Sequence, residues 1–180
     1  MSMTNRILAV ATNAGEYKKA GFRTGLWLGE LVHFWHTVEQ AGYEVDLATP
    51  AGGYVPIDPE SLMAQELGHT IGLPGTVHRY YADRAFMNRL IDTRRVADAQ
   101  VASYDAIYLT GGHGACFDFA ESAELAGLVA QFYTSGRIVS AVCHGACGLL
   151  EARLANGTYL INGKNGTGFS GTEEKIVGRD

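Results

Sequence analysis

In the stretch "RIVSAVCHGACGLL", residues 137–150, a short apolar run delivers Cys143, with His144 directly behind it, into a helix-forming sequence. A thiol at the bend from strand to helix has the geometry of a nucleophile elbow, where a sharp turn presents the reactive atom to a cleft. The start of the following helix would favour thiolate over thiol and lower the cysteine pKa. Gly145 and Ala146 are small enough to let the backbone pass closely. Position alone leaves a second reading open, in which Cys143 is a buried cysteine acting as a small hydrophobe. Cys147, one helical turn on, reads as packing, and Cys116 has no evident role. The types and spacing of Cys143, His144 and Cys147 admit a metal site. No second ligand cluster accompanies them, however, and the turn should send neighbouring side chains to different sides. The expectation is a site with no metal and no cofactor.

Two further features could serve that thiol. "YLTGGHGACFDF" (108–119) closes an apolar run with Gly111 and Gly112, whose amides could face a developing oxyanion together with an amide from the turn after Cys143. His113 reads as polar lining of such a site rather than a catalyst. Glu30 is the odd charge of its amphipathic stretch. Its neighbours three and four positions away are Leu26, Trp27, His33 and Phe34, so it borders the apolar stripe. A carboxylate there is costly unless paired or protonated. Burial beside a thiol would raise its pKa toward neutrality, which suits a proton shuttle. The plainer alternative is an exposed glutamate at the stripe edge.

Positioning these groups requires a frame. Four apolar runs read as strands: 6–12, 44–50, 104–112 and 137–142. The first, third and fourth are nearly continuous in apolar or small residues, as strands covered on both faces are. Between them lie amphipathic stretches predicted as helices: 24–41, opened by Thr24, 82–100, and 122–135, opened by Ser122. Alternation of this kind predicts a doubly wound parallel α/β sheet. Residues 51–81, which hold three of the four prolines, break the rhythm and read as a cap or loop insertion over one end of the sheet. Ligands in such sheets bind beyond the carboxyl ends of the strands, which points to 13–17, 111–116 and 143–145.

At 180 residues the chain suits one domain. Its formal charge of -5 and lack of a basic run argue against nucleic acid or an anionic membrane as main partner. No apolar stretch reaches membrane-spanning length and the N-terminal run is too short for a signal peptide, so a cytoplasmic location is expected. Three irregularly spaced cysteines do not form a disulfide framework.

Four motifs taken together, "TGLWLGELVH", "GGHG", "AVCHG" and "TGFSGTEE", resemble those of the ThiJ/PfpI superfamily, which shares its fold with class I glutamine amidotransferase domains. The chain is most similar to its chaperone and glutathione-independent glyoxalase (glyoxalase III) branch, and "PIDPES" (56–61) fits that branch too. The resemblance implies a flavodoxin-like three-layer sandwich spanning 1–180 as a single domain, with helices on both faces of the sheet. It implies Cys143 as nucleophile with His144 beside it, Glu30 as the acid contacting the sulfur, and Glu174 as the third triad acid, with Glu173 its neighbouring alternative. Gly112 and His144 would supply oxyanion amides, with His113 lining the substrate site. The branch usually has proline after the histidine of the first-helix motif, where this chain has Phe34. Relatives continue past the triad acid through a further helix and strand, so C-terminal elements are expected to be missing.

The activity implied is cofactor-independent conversion of methylglyoxal or a similar 2-oxoaldehyde to lactate or the matching 2-hydroxy acid, with chaperone or deglycase-type activity alongside. A small aldehyde is the expected partner, and a homodimer the expected assembly. Two alternatives stand beside it: a cysteine hydrolase or amidase, since Cys-His-Glu equally serves acyl transfer, and a holdase chaperone or redox-sensing stress protein.

Overall fold

The computed structural model describes residues 5–17, 21–63 and 75–178. Its strands are β1 (Arg6–Val10), β2 (Glu44–Thr49), β3 (Arg94–Arg95), β4 (Ala106–Leu109) and β5 (Ile138–Ala141). They form one parallel sheet in the order β3-β2-β1-β4-β5. The chain winds outward from β1 to β3 and then returns to lay β4 against the other side of β1, so strand order reverses between β1 and β4. This is the α/β architecture expected from the alternating pattern.

Both sheet faces are covered, and the period of two along each strand shows it. Ile7, Ala9, Ala11 and Tyr108 join one core cluster with Leu31, Val32 and Trp35 of α1 (Leu28–Gln40). Leu8, Val10, Ile107 and Leu109 face the opposite way, into a second cluster that holds Leu125, Val129 and Phe132. Those last three belong to α5 (Ala123–Thr134), the fifth helix. Each aliphatic side chain so buried contributes about 1.5–3 kcal/mol. The Ser122 hydroxyl caps α5 by accepting the Leu125 N–H at 3.1 Å, as expected for a helix over 122–135.

Two of the expected helices are cut back. The first begins at Leu28, not Thr24, because Gly25–Leu26 run extended against the insertion: the Leu26 N–H donates to the Pro56 carbonyl at 2.8 Å. The Thr24 hydroxyl donates to the buried Asp58 carboxylate at 2.9 Å instead of capping the helix. Over 82–100 there is one short helix, α3 (Arg84–Asn88), capped by Asp83. The chain then turns, exchanges two backbone hydrogen bonds between Gly53 and Thr93 at 2.9 Å each, and adds β3 to the sheet edge. Leu90, Val96 and Ala99, whose spacing suggested a helix, are buried from turns and single 3₁₀ turns.

The insertion expected over 51–81 divides. Residues 51–57 cross the carboxyl ends of β1 and β2, where Asn13 donates to the carbonyls of Gly52 and Tyr54. Pro59–Leu62 form one 3₁₀ turn. Residues 64–74 lie outside the described part, and α2 (Gly75–Ala82) packs beside α1, with Val77 and Tyr80 buried in its cluster. Two helices complete the count among the described residues, α4 (Ala115–Asp118) and α6 (Gly171–Val177). No described helix is long and apolar enough to cross a membrane.

Candidate active site

Strand β5 ends at Ala141, and Val142 still donates to the Leu109 carbonyl at 3.1 Å before the chain turns sharply. Cys143 makes that turn at φ +52, in the left-handed region that a β-carbon disfavours. Such a conformation costs of order 1–3 kcal/mol and persists only where its surroundings enforce it. Here the fixed strand on one side and a tight turn on the other do so, the Gly145 N–H returning to the Val142 carbonyl at 2.8 Å. The following Cys143–Leu149 segment winds as a 3₁₀ helix, not the α-helix the sequence suggested.

His144 and Glu174 form one side of the site. The sulfur lies 3.3 Å from His144 Nδ1, and His144 Nε2 lies 2.6 Å from Glu174 Oε1. Neighbouring side chains were expected to diverge at this turn; the positive φ makes Cys143 and His144 converge. With Nε2–H donated to the carboxylate, Nδ1 is free to take the thiol proton. Phe169, from "TGF", packs its ring 4.6 Å from that of His144 and shields the imidazole, whose side chain is 4% exposed. Ser170 caps α6 through a reciprocal box with Glu173, donating its N–H to the Glu173 carboxylate at 2.7 Å. Glu173 is thereby committed to the helix start, and the next residue, Glu174, turns inward. Burial pushes the Glu174 carboxyl up, but hydrogen bonds from His144 and His113 outweigh it and leave the pKa lowered.

His113 does more than line the site: its Nε2 lies 3.0 Å from Glu174 Oε2, so the carboxylate is held by an imidazole on each oxygen. Its ring also packs 4.1 Å from that of His144 and 5.8 Å from that of Tyr17. The preceding loop is anchored by Asp118, which accepts from the Thr12 hydroxyl at 2.9 Å and the Asn13 N–H at 2.7 Å.

Glu30 occupies the other side, in the first turn of α1. Its Oε2 accepts the Gly111 N–H at 2.9 Å, and its carboxylate also accepts a hydrogen bond from the Cys143 thiol. A β-carbon on Gly111 would fall 2.4 Å from that oxygen and 2.7 Å from the Cys143 β-carbon, so only glycine lets acid and thiol approach. Burial raises the Glu30 pKa against the pull of those two hydrogen bonds, the direction expected for a carboxyl beside the stripe. For Cys143 the expected lowering is reversed. Burial first, and then the Glu30 carboxylate, push the thiol up to about 12, opposed by the backbone N–H groups of His144 and Gly112 near the sulfur. A 3₁₀ segment with a buried acid at its start does not do what an exposed α-helix N-terminus would do. The Glu30 carboxylate thus disfavours ionisation of the thiol it contacts.

Beside Glu30 opens a groove of about 540 Å³ lined by Trp27, His33, Phe34, Tyr108 and Val142 among others. Phe34 stacks on Tyr108 with ring centroids 3.7 Å apart, and the Tyr108 hydroxyl donates to the Glu30 carbonyl at 3.1 Å. The departure from proline at position 34 thus builds an aromatic wall. Tyr108, Phe169 and Asp118 were not singled out from the sequence, and Tyr17 only as the end of the 13–17 stretch expected at the cleft. Phe169 sits inside a motif that was, whereas an aromatic in a buried strand carries no sign of which face it takes.

Among the described residues, one group could hold a metal ion. Ligand atoms of His113, His144 and Glu174 lie within 4.8 Å of one another. Their 2.6 and 3.0 Å separations are hydrogen-bond lengths.

Proteins of similar sequence and shape are known. The chain is 29% identical over 177 residues to the glutathione-independent glyoxalase HSP31 of Saccharomyces cerevisiae, covering 97% of this chain and 72% of that one. The crystal structure of glyoxalase III from Candida albicans superposes with a TM-score of 0.82 at 27% identity, over 99% of this chain and 73% of that one. The rapid encystment protein REP24 of Francisella tularensis gives 0.87 at 34% identity, over 96% and 73%. Residues 25–179, from the extended entry to α1 through α6, match the DJ-1/PfpI family. With a match over most of its length, the chain belongs to the DJ-1/PfpI family.

Proposed function

We propose that this chain is a glutathione-independent glyoxalase that converts methylglyoxal, or a similar 2-oxoaldehyde, to the 2-hydroxy acid. The observation that carries the reading is Glu30: a carboxyl with raised pKa, hydrogen-bonded to the thiol of a Cys-His-Glu chain. Acyl transfer needs the nucleophile, base and acid, but has no task for a second carboxyl at the sulfur. Isomerisation between adjacent carbons does. The names of the relatives, glyoxalases that need no glutathione, support the same reaction.

In the chemistry that follows, the Cys143 proton leaves to His144 as the sulfur adds to the aldehyde carbon, giving a hemithioacetal whose oxygen is protonated in turn. Amides at Gly112 and His144 face the oxygen as charge develops there. Glu30 takes the proton from the former aldehyde carbon, and the resulting enediol is reprotonated at the neighbouring carbon. The product is a thioester of the 2-hydroxy acid on Cys143, which water cleaves to release lactate and restore the thiol. Every atom of the product comes from methylglyoxal and one water. The groove walled by Phe34 and Tyr108 would take the alkyl end of the substrate. We further read the protein as a cytoplasmic homodimer, which light scattering on purified protein and cell fractionation test.

The assay is lactate formation from methylglyoxal without added thiol. No lactate from the wild-type protein, or lactate undiminished in both Cys143→Ala and Glu30→Gln, would sink the reading. Burst release from an amide or ester with a trapped acyl-enzyme would favour hydrolase chemistry instead.

A further inference from the structure

Cys116 and Cys147 are remote in sequence, yet their sulfurs lie 3.9 Å apart across the packed contact between α4 and the 3₁₀ segment that begins at Cys143. Neither takes part in the chemistry above. We propose that these two thiols are a modification site, a reversible intramolecular disulfide that ties the His113 loop to the segment carrying Cys143 and His144.

A disulfide needs its sulfurs about 2.05 Å apart, so closure requires roughly 2 Å of combined movement, within reach of side-chain rotation plus a small shift of one segment. Both thiols are half-buried and in S–H···S contact with each other. The contact lowers the pKa of Cys147 and raises that of Cys116, and once Cys147 has lost its proton it can attack. With a small-molecule disulfide as oxidant, Cys147 displaces one thiol and forms a mixed disulfide. Cys116 then gives up its proton, attacks Cys147 and releases the second thiol. Two protein thiols lose two protons and two electrons, and one oxidant disulfide becomes two thiols.

The location connects this closure to the site. The Cys116 N–H donates to the His113 carbonyl at 3.1 Å, and Cys147 follows Cys143 within one 3₁₀ segment. Backward slip is resisted because the segment lies tight on the β4 backbone: a β-carbon at Gly145 would fall 2.3 Å from the Leu109 carbonyl oxygen. Drawing α4 toward this segment therefore moves His113 relative to Glu174 and His144. The crosslink stands independently of the glyoxalase reading; only its effect on turnover rests on it.

Trypsin cuts at Arg137 and leaves Cys116 in 96–137 and Cys147 in 138–153. In folded Cys143→Ala protein treated with oxidised glutathione, these peptides should appear joined, with an intact mass two hydrogens lower, and dithiothreitol should separate them. Wild-type protein should show the same pair with Cys143 still open to alkylation, which covers the case of a poorly folded variant. Stable glutathione adducts on either cysteine, or two unreacted thiols in both proteins, would overturn the disulfide. In the second arm, glutathione disulfide should slow lactate formation by the wild type, reversibly, and spare Cys116→Ala/Cys147→Ala. Equal loss in that double variant would overturn the link to turnover. Absence of lactate from the reduced wild type would be a failure of the glyoxalase reading, with the joined peptides still read by mass.

Discussion

Two glutamates serve one thiol, Glu30 at the sulfur and Glu174 through His144, and their surroundings push them in opposite directions. Glu30 enters from the first turn of α1, buried against the Gly111 amide, and its pKa is raised because burial outweighs its hydrogen bonds. Glu174 enters from the first turn of α6, with His144 on one oxygen and His113 on the other, and its pKa is lowered because those bonds outweigh burial. The residue type is the same and so is the place in a helix. What differs is the partner: a peptide N–H and a thiol on one side, two imidazoles on the other. Pairs of carboxyls set apart in this way divide acid, base and orienting work between them.

The largest expected effect removes what both acids serve: Cys143→Ala should lower lactate formation by on the order of 10³-fold or more while far-ultraviolet circular dichroism stays unchanged. Glu30→Gln comes next, with a loss of about 10²–10⁴-fold. It should also lower the Cys143 pKa, since the carboxylate that pushes the thiol up is gone. The pH dependence of iodoacetamide alkylation reads this directly, and an unshifted profile would break the contrast between the two acids. Glu174→Gln should cost less, about 10–100-fold, through a misplaced His144, and should leave the alkylation profile closer to wild type. His113→Ala should cost less again, because one imidazole remains on the carboxylate.

The smallest effect lies in stability, and there the two acids should act with opposite signs. Glu174 has a folded-state pKa below its ordinary 4.5, so its contribution is present above that value and is lost as pH falls through the folded pKa. Glu30 has a folded-state pKa above 4.5, so the folded state holds its proton more tightly and stability declines as pH rises from 4.5 through the raised value. Urea unfolding at neutral and mildly acidic pH should show Glu174→Gln less stable than wild type and Glu30→Gln more stable, chiefly at neutral pH.

The parallel architecture was legible in the sequence because its strands are short apolar runs between amphipathic stretches, with Ser122 marking the start of α5. The expected helix over 82–100 was not there, since turns with buried Leu90, Val96 and Ala99 mimic helical spacing and a two-residue edge strand has no period to read. Glu30 stood out as a charge beside an apolar stripe, and the glycines at 111 and 112 as unusual company for a strand end. His113 was underread: nothing local ties it to a helix that begins 58 residues later at Gly171. The Cys143 pKa was misjudged for a related reason, since the helix-dipole argument considers only the segment after the thiol and not the acid arriving from α1.

By itself the sequence determined which atoms were available: a thiol at a strand end, an imidazole beside it, glycines where a side chain would block approach, and acids near both termini of the fold. Those are properties of residue type and local periodicity, and they travel with the chain. Tertiary structure decided which of them meet. That Glu30 meets the Cys143 thiol and pushes its pKa up, that Glu173 caps a helix while Glu174 meets two histidines, and that Cys116 lies against Cys147 all depend on distances across the sheet. Electrostatic work scales with those distances and with burial, neither of which is written in the order of residues.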